Sequence, residues 1–146
     1  MNIDNESREL SYYRLTLLAF LKESHPEKVS DTTFISIRAE IASQAYSDAI
    51  DNGFAIPLAV EMANESLFEG LHFSKHDTLI NIIWNEFSDD VPQGDAKAFA
   101  EKILPICEKV FDKYPLSDDF SYSPEYEQLY SELTGTVQIY IEEHVI

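Results

Sequence analysis

The sequence holds a single cysteine, Cys107, in 146 residues. A lone thiol excludes an internal disulfide and any multi-cysteine zinc site. Glycine is scarce as well, with four residues and none of them clustered, so no glycine-rich loop is present to cradle a phosphate. The Gly-x-Ser-x-Gly elbow of serine hydrolases is missing too. Basic residues are few: ten Lys plus Arg stand against 27 Asp plus Glu, a formal net charge of −17. No uncharged run exceeds nine residues, the length of Asn52 to Val60, whereas about 20 apolar residues are needed to cross a bilayer as a helix. The opening Met1-Asn2-Ile3-Asp4-Asn5-Glu6 lacks the basic and apolar regions of a signal peptide. These absences predict a soluble, cytoplasmic chain with no cofactor signature.

What is present has helical spacing almost throughout. From Glu9 to Ser24 the residues Leu10, Tyr13, Leu17 and Leu21 recur at steps of three and four. His25-Pro26 stops that run, because the residue before a proline is pushed out of the α region. Ser30 or Asp31 caps a second helix whose buried face is predicted as Phe34, Ile37, Ile41, Ala45 and Ala49, with Asn52-Gly53 as its stop. Pro57 suits the first position of a third helix, ended by Gly70. Ser74 precedes Asp77 at capping-box spacing. Behind it Leu79, Ile80, Ile83, Trp84 and Phe87 predict a helix at the centre of the core.

Ser88 to Gly94 is the strongest break, being polar, acidic and furnished with both Pro and Gly. Beyond it, Ala96, Phe99, Ile103, Cys107, Val110 and Tyr114 mark a fifth helix, which Pro105 is expected to kink or split. Ser123-Pro124 then opens a last helix carrying Tyr126, Leu129, Tyr130, Leu133, Val137, Tyr140 and Ile141, with Gly135 and Thr136 as local weak points. No sustained period-two alternation occurs, and no internal repeat. The expectation is an all-α chain of about six helices in a multihelical bundle, forming a single domain over residues 1–146. The break near 88–95 allows a larger N-terminal part and a smaller C-terminal helical pair.

Two stretches carry a resemblance: Leu10-Ser11-Tyr12-Tyr13-Arg14-Leu15 with Glu23-Ser24-His25-Pro26, and Gly70-Leu71-His72-Phe73-Ser74-Lys75-His76-Asp77-Thr78-Leu79 with Trp84-Asn85-Glu86-Phe87. They resemble a family of small bacterial proteins of unknown function over roughly Leu10 to Pro92. The resemblance implies an all-helical fold and a setting on Bacteroidetes-type conjugative and other mobile elements, beside or fused to helicases and methylases. It brings no catalytic motif and no site residues.

Charge argues against direct nucleic-acid binding, which needs a basic footprint for phosphate contacts. Between Arg38 and Lys75 there is no Lys or Arg, and from Tyr114 onward there is none against seven acids. Glu61, Glu65 and Glu69 follow at four-residue steps, so a helix would stack them into an acidic ridge. Such a ridge is ordinarily the solvated side of an amphipathic helix; as a functional feature it could imitate a phosphate backbone and occupy a DNA-binding protein's groove.

Six aromatics crowd the stretch from Phe111 to Tyr130. Phe111, Tyr126 and Tyr130 fall on helical stripes and are assigned to the core. Tyr114, Phe120 and Tyr122 fall in the intervening loop and are the interface candidates, since aromatics are enriched at protein contacts. His72 and His76 are four apart, with Glu69 at Glu-x-x-His spacing and Asp77 adjacent. Gly70 and the Ser74 cap put a helix boundary inside this cluster, so one helix face does not gather it. No second Glu-x-x-His exists. His72 and His76 are therefore the weakest candidates, as metal ligands, and His144 is an expected exposed helix-end residue. Cys107 lies on a buried helical stripe, where a thiol acts as a small apolar group.

Together these observations favour a non-enzymatic module that binds another protein, accessory to DNA processing. The alternatives are a phosphate-mimicking inhibitor and a metal-binding protein or enzyme built around Glu69, His72 and His76. Apolar stripes left uncovered would also allow a homodimer.

Overall fold

The computed structural model describes residues 3–144, with side chains from Glu9 onward. Met1 and Asn2, part of the stretch read for a leader, lie outside the described residues, as do Val145 and Ile146. Six α-helices appear among the described residues and no strand: α1 (Ile3–Ser24), α2 (Thr32–Asp51), α3 (Ile56–Phe68), α4 (Lys75–Glu86), α5 (Ala96–Phe111) and α6 (Glu125–His144). The protein is all-α and multihelical. Its contacts fall into two compact units, Met1–Glu69 and Gly70–Ile146. The connection at 88–95 joins α4 to α5 within the second unit. Its polar composition reflects an exposed turn, yet Val91 within it is buried.

In the first unit, α1 ends at Ser24 and a 3-10 turn covers Pro26–Lys28. Asp31, not Ser30, caps α2: its carboxylate accepts from the Phe34 amide at 3.1 Å. The inward face of α2 is Ile35, Ala39, Ala42 and Ala49. This corrects the predicted face, because Ile37 and Ile41 are exposed. Large side chains suggested the stripe, but the buried positions of α2 are mostly alanines; α2 packs against both α3 and α1, and α3 buries Ala59, Ala63 and Leu67. Small residues allow two helix axes to approach closely.

Arg38 joins these two helices at one end. Its Nη1 donates to the carbonyls of Ser66 and Leu67 and to that of Glu69. Its guanidinium also lies 4.9 Å from the centre of the Phe34 ring. A cation there satisfies the last carbonyls of α3 and complements its dipole.

At the other end, the chain leaves α2 through a Schellman turn. The Gly53 amide donates to the Ile50 carbonyl and the Phe54 amide to that of Ala49, both at 3.0 Å. Gly53 has φ +89°, a left-handed conformation that side chains disfavour.

The second unit has a larger core. Phe73, Leu79, Ile80, Ile82, Ile83 and Phe87 pack with residues of α5 and α6, among them Ile103, Leu104, Phe111, Leu129, Leu133 and Val137. Ser74 starts α4 as predicted, its hydroxyl accepting from the Asp77 amide at 2.9 Å. Trp84 departs from expectation at 43 % exposure, because it stands at the edge of the α4 face, over Ser88, Val91 and Gln93. A single helix, α5, runs across Pro105 without splitting, and α6 runs across Gly135 and Thr136. Ser123 does not cap α6 by its hydroxyl, which donates back to the Phe120 carbonyl at 2.8 Å. Among the described residues no helix is long and apolar enough to cross a membrane.

Candidate functional site

The Schellman turn sets the geometry of the first candidate surface. Because α2 and α3 are antiparallel neighbours joined by four residues, 52–55, their shared end forms the tip of a helical hairpin. Ile50 lies in the last turn of α2, Phe54 in the connection, and Ile56, Leu58 and Val60 at the start of α3. All five are exposed, Ile56 by 63 %. Phe54 occupies the position after the left-handed glycine, whose side chain ordinarily folds back on the helix; here it remains accessible. Asp48, Asp51 and Glu61 border these residues in sequence and are exposed. The tip was not among the sequence candidates. Its signal was the nine uncharged residues from Asn52 to Val60 in a chain that is 25 % charged.

The predicted acidic ridge is shortened. Glu61 and Glu65 are exposed on α3, but Glu69 is the C-cap, with ψ 131°, and leaves the helical course. Only two of the three carboxylates keep one-turn spacing.

A second feature of this unit is an open groove of about 340 Å³ between α1 and the start of α2, lined by Leu15, Leu18, Val29 and Ile35 with Arg14 beside them.

In the second unit, the loop aromatics part company. Phe120 is 2 % exposed and packs edge-on against Phe73, with ring centres 5.4 Å apart. It is a core residue, which corrects its assignment as an interface candidate; a 3-10 turn over Phe120–Tyr122 directs the two rings to different environments. Tyr122 is 90 % exposed. Tyr114 is half-buried, and its hydroxyl donates to Glu132 Oε1 at 2.5 Å. That bond, with a smaller contribution from burial, pushes the Tyr114 hydroxyl up to about 12. It also holds the Glu132 carboxyl below its ordinary range, with Lys113 Nζ adding a 3.0 Å contact.

The histidines are not gathered. His72 is exposed, with Nε2 3.9 Å from Asp118 Oδ2. His76 is 1 % exposed and its Nε2 lies 3.3 Å from the Lys97 carbonyl. The helix boundary at Ser74 separates them. Among the described residues no group of three or more His, Cys, Asp or Glu side chains could hold a metal ion. Asp118 has a structural duty: its carboxylate accepts from the amides of Gly70 and His72 at 2.9 and 3.0 Å.

Cys107 is buried, and burial pushes its thiol up to about 11, which keeps it protonated and unreactive near neutrality. His144 is exposed, its ring stacked on Tyr140 at 4.0 Å.

A family model, "Domain of unknown function (DUF1896)", matches residues 5–146. The chain belongs to this family. The match extends the resemblance of residues 10–92 through the C-terminal third. A solved structure of the same fold, protein PG0816 from Porphyromonas gingivalis, superposes with a TM-score of 0.90 at 44 % identity, covering 96 % of this chain and 95 % of that one. No curated protein matches.

Proposed function

We propose that this DUF1896 chain is a non-enzymatic interaction module whose working surface is the tip of the α2–α3 hairpin, and that it serves as an accessory to DNA-processing machinery on a mobile element. The observation that carries the reading is the exposure of Ile50, Phe54, Ile56, Leu58 and Val60 within eleven consecutive residues. Isolated exposed apolar residues need no explanation, but a concentration at one end of a helical hairpin is what partner surfaces present. Each of these side chains costs free energy in water that contact with another protein would recover. The mobile-element setting rests on the resemblance of the Leu10–Pro92 strings and supplies the class of partner: a helicase, a methylase or a related enzyme.

The test is retention of native partners from cell extract by the wild-type chain and by a Phe54→Ser/Ile56→Ser variant, at low and high salt. A DNA-processing enzyme held by the wild type at both salts and lost by the variant is the expected result. Equal retention by both chains would overturn the reading. A partner lost at high salt and indifferent to the variant would instead favour the carboxylates of Glu61 and Glu65 as a phosphate mimic.

A further inference from the structure

We propose that the α2–α3 tip receives a cationic amphipathic helix; this rests on the interaction reading above and names the chemistry of the partner. The first argument is charge. Asp48 and Asp51 precede the tip, Glu61 and Glu65 follow it, and all four are exposed. No Lys or Arg occurs in α2 after Arg38, in the turn, or in α3. Arg38 itself is held by the carbonyls at the far end of α3. Along the hairpin the apolar residues are thus flanked on both sides by exposed carboxylates that no cation of the hairpin offsets. An occupant with Lys or Arg bordering an apolar stripe would place opposite charges around the apolar contact, and complementary rims speed encounter and select partners.

The second argument is backbone chemistry. Recognition by strand addition needs an open sheet edge, and no strand exists among the described residues. Two packed helices offer instead side-chain ridges, into which another helix can lay its own. A third argument sets aside a second copy of this chain. An isologous contact through the tip would bring Asp48, Asp51 and Glu61 toward their own equivalents, in a chain of net charge −17. Like charges brought together across an interface oppose association.

The probes are two helical peptides of about 18 residues, long enough to form helix on contact. Both carry leucine along one face; one has lysine on the other face, and the second has glutamate there. The lysine peptide is expected to bind the full chain at least about tenfold more tightly than the glutamate peptide, a difference of about 1.4 kcal/mol. Phe54→Ser/Ile56→Ser is expected to weaken it by about tenfold or more, with unchanged helix content because both side chains are exposed. Glu61→Lys/Glu65→Lys keeps the apolar tip and should weaken the same peptide and flatten its salt dependence.

Equal affinity for both peptides, or lysine-peptide binding indifferent to Phe54→Ser/Ile56→Ser, overturns the proposal. So does a sedimenting dimer that this variant dissociates, which would give the tip to a second copy. The two readings fail separately. A native partner that depends on the tip while the lysine peptide does not bind leaves the interaction module standing and removes the cationic occupant. A lysine peptide that passes both tests, where no native partner depends on the tip, leaves the chemistry standing and removes the assigned role.

Discussion

The two units solve the burial of apolar surface in different proportions. Among described residues, the first buries Ala39, Ala42, Ala49, Ala59 and Ala63 along α2 and α3, while nine of its large apolar residues, from Tyr12 to Val60, stay exposed. In the second, Phe73, Phe87, Phe111 and Phe120 are all buried, and four large apolar residues are exposed: Trp84, Ile106, Tyr122 and Ile139. A methyl group removes little area from water, so an alanine seam gains its stability from close backbone approach and dispersion more than from transfer. Large side chains at the same positions would have forced the helices apart. The difference shows that apolar content does not fix where a unit hides its surface. The first unit keeps Tyr13, Leu17, Leu21, Ile35 and Leu67 inside but leaves more of its large residues exposed than the second does, which is intelligible for a surface that works by contact.

Substitutions can break this comparison. Phe111→Ala, in the packed core of the second unit, is expected to cost about 3–5 kcal/mol by denaturant unfolding, through lost transfer energy and the cavity left behind. A cost near that of a surface change would mean the ring is not tightly enclosed. Ala63→Leu tests the alanine seam from the opposite direction. Added bulk there should destabilise by about 1–3 kcal/mol through overpacking, whereas a neutral or stabilising result would deny the close approach of α2 and α3. Ile56→Ser, at the tip, should change stability by no more than about 0.5 kcal/mol. A larger loss would give the tip a structural role and weaken its assignment as a working surface.

Helix existence was legible because three- and four-residue apolar steps are imposed by helix geometry, and the stops at His25-Pro26, Asn52-Gly53 and Gly70 follow from backbone sterics. Which side of α2 faces inward was not legible. The stripe of Phe34, Ile37 and Ile41 competes with that of Ile35, Ala39 and Ala42, and only the packing of the neighbouring helices decides between them. Phe120 and Tyr122 posed the same difficulty on a smaller scale, since two aromatics separated by one serine give no sign of which enters the core before the turn is known. Spacing alone groups Glu69 with Glu61 and Glu65, although the following Gly70 marks the place where helical spacing lapses. The tip itself was visible as an uncharged run. Absence of charge alone did not single it out, because Leu133 to Ile141 is an uncharged run of the same length and sets Leu133, Val137 and Ile141 in the core.

The Asp118 carboxylate that receives the amides of Gly70 and His72 has a consequence for the order in which the protein is made. Every residue of α1, α2 and α3, and so the whole alanine seam, precedes Gly70. The partner of the Gly70 amide, by contrast, is 48 residues further along. At synthesis rates of about 5–20 residues per second that interval is about 2–10 s. Through it, the N-terminal helices can close on one another while those two amides remain bonded to water, so the hairpin tip is on offer to a partner before the rest of the chain has been translated.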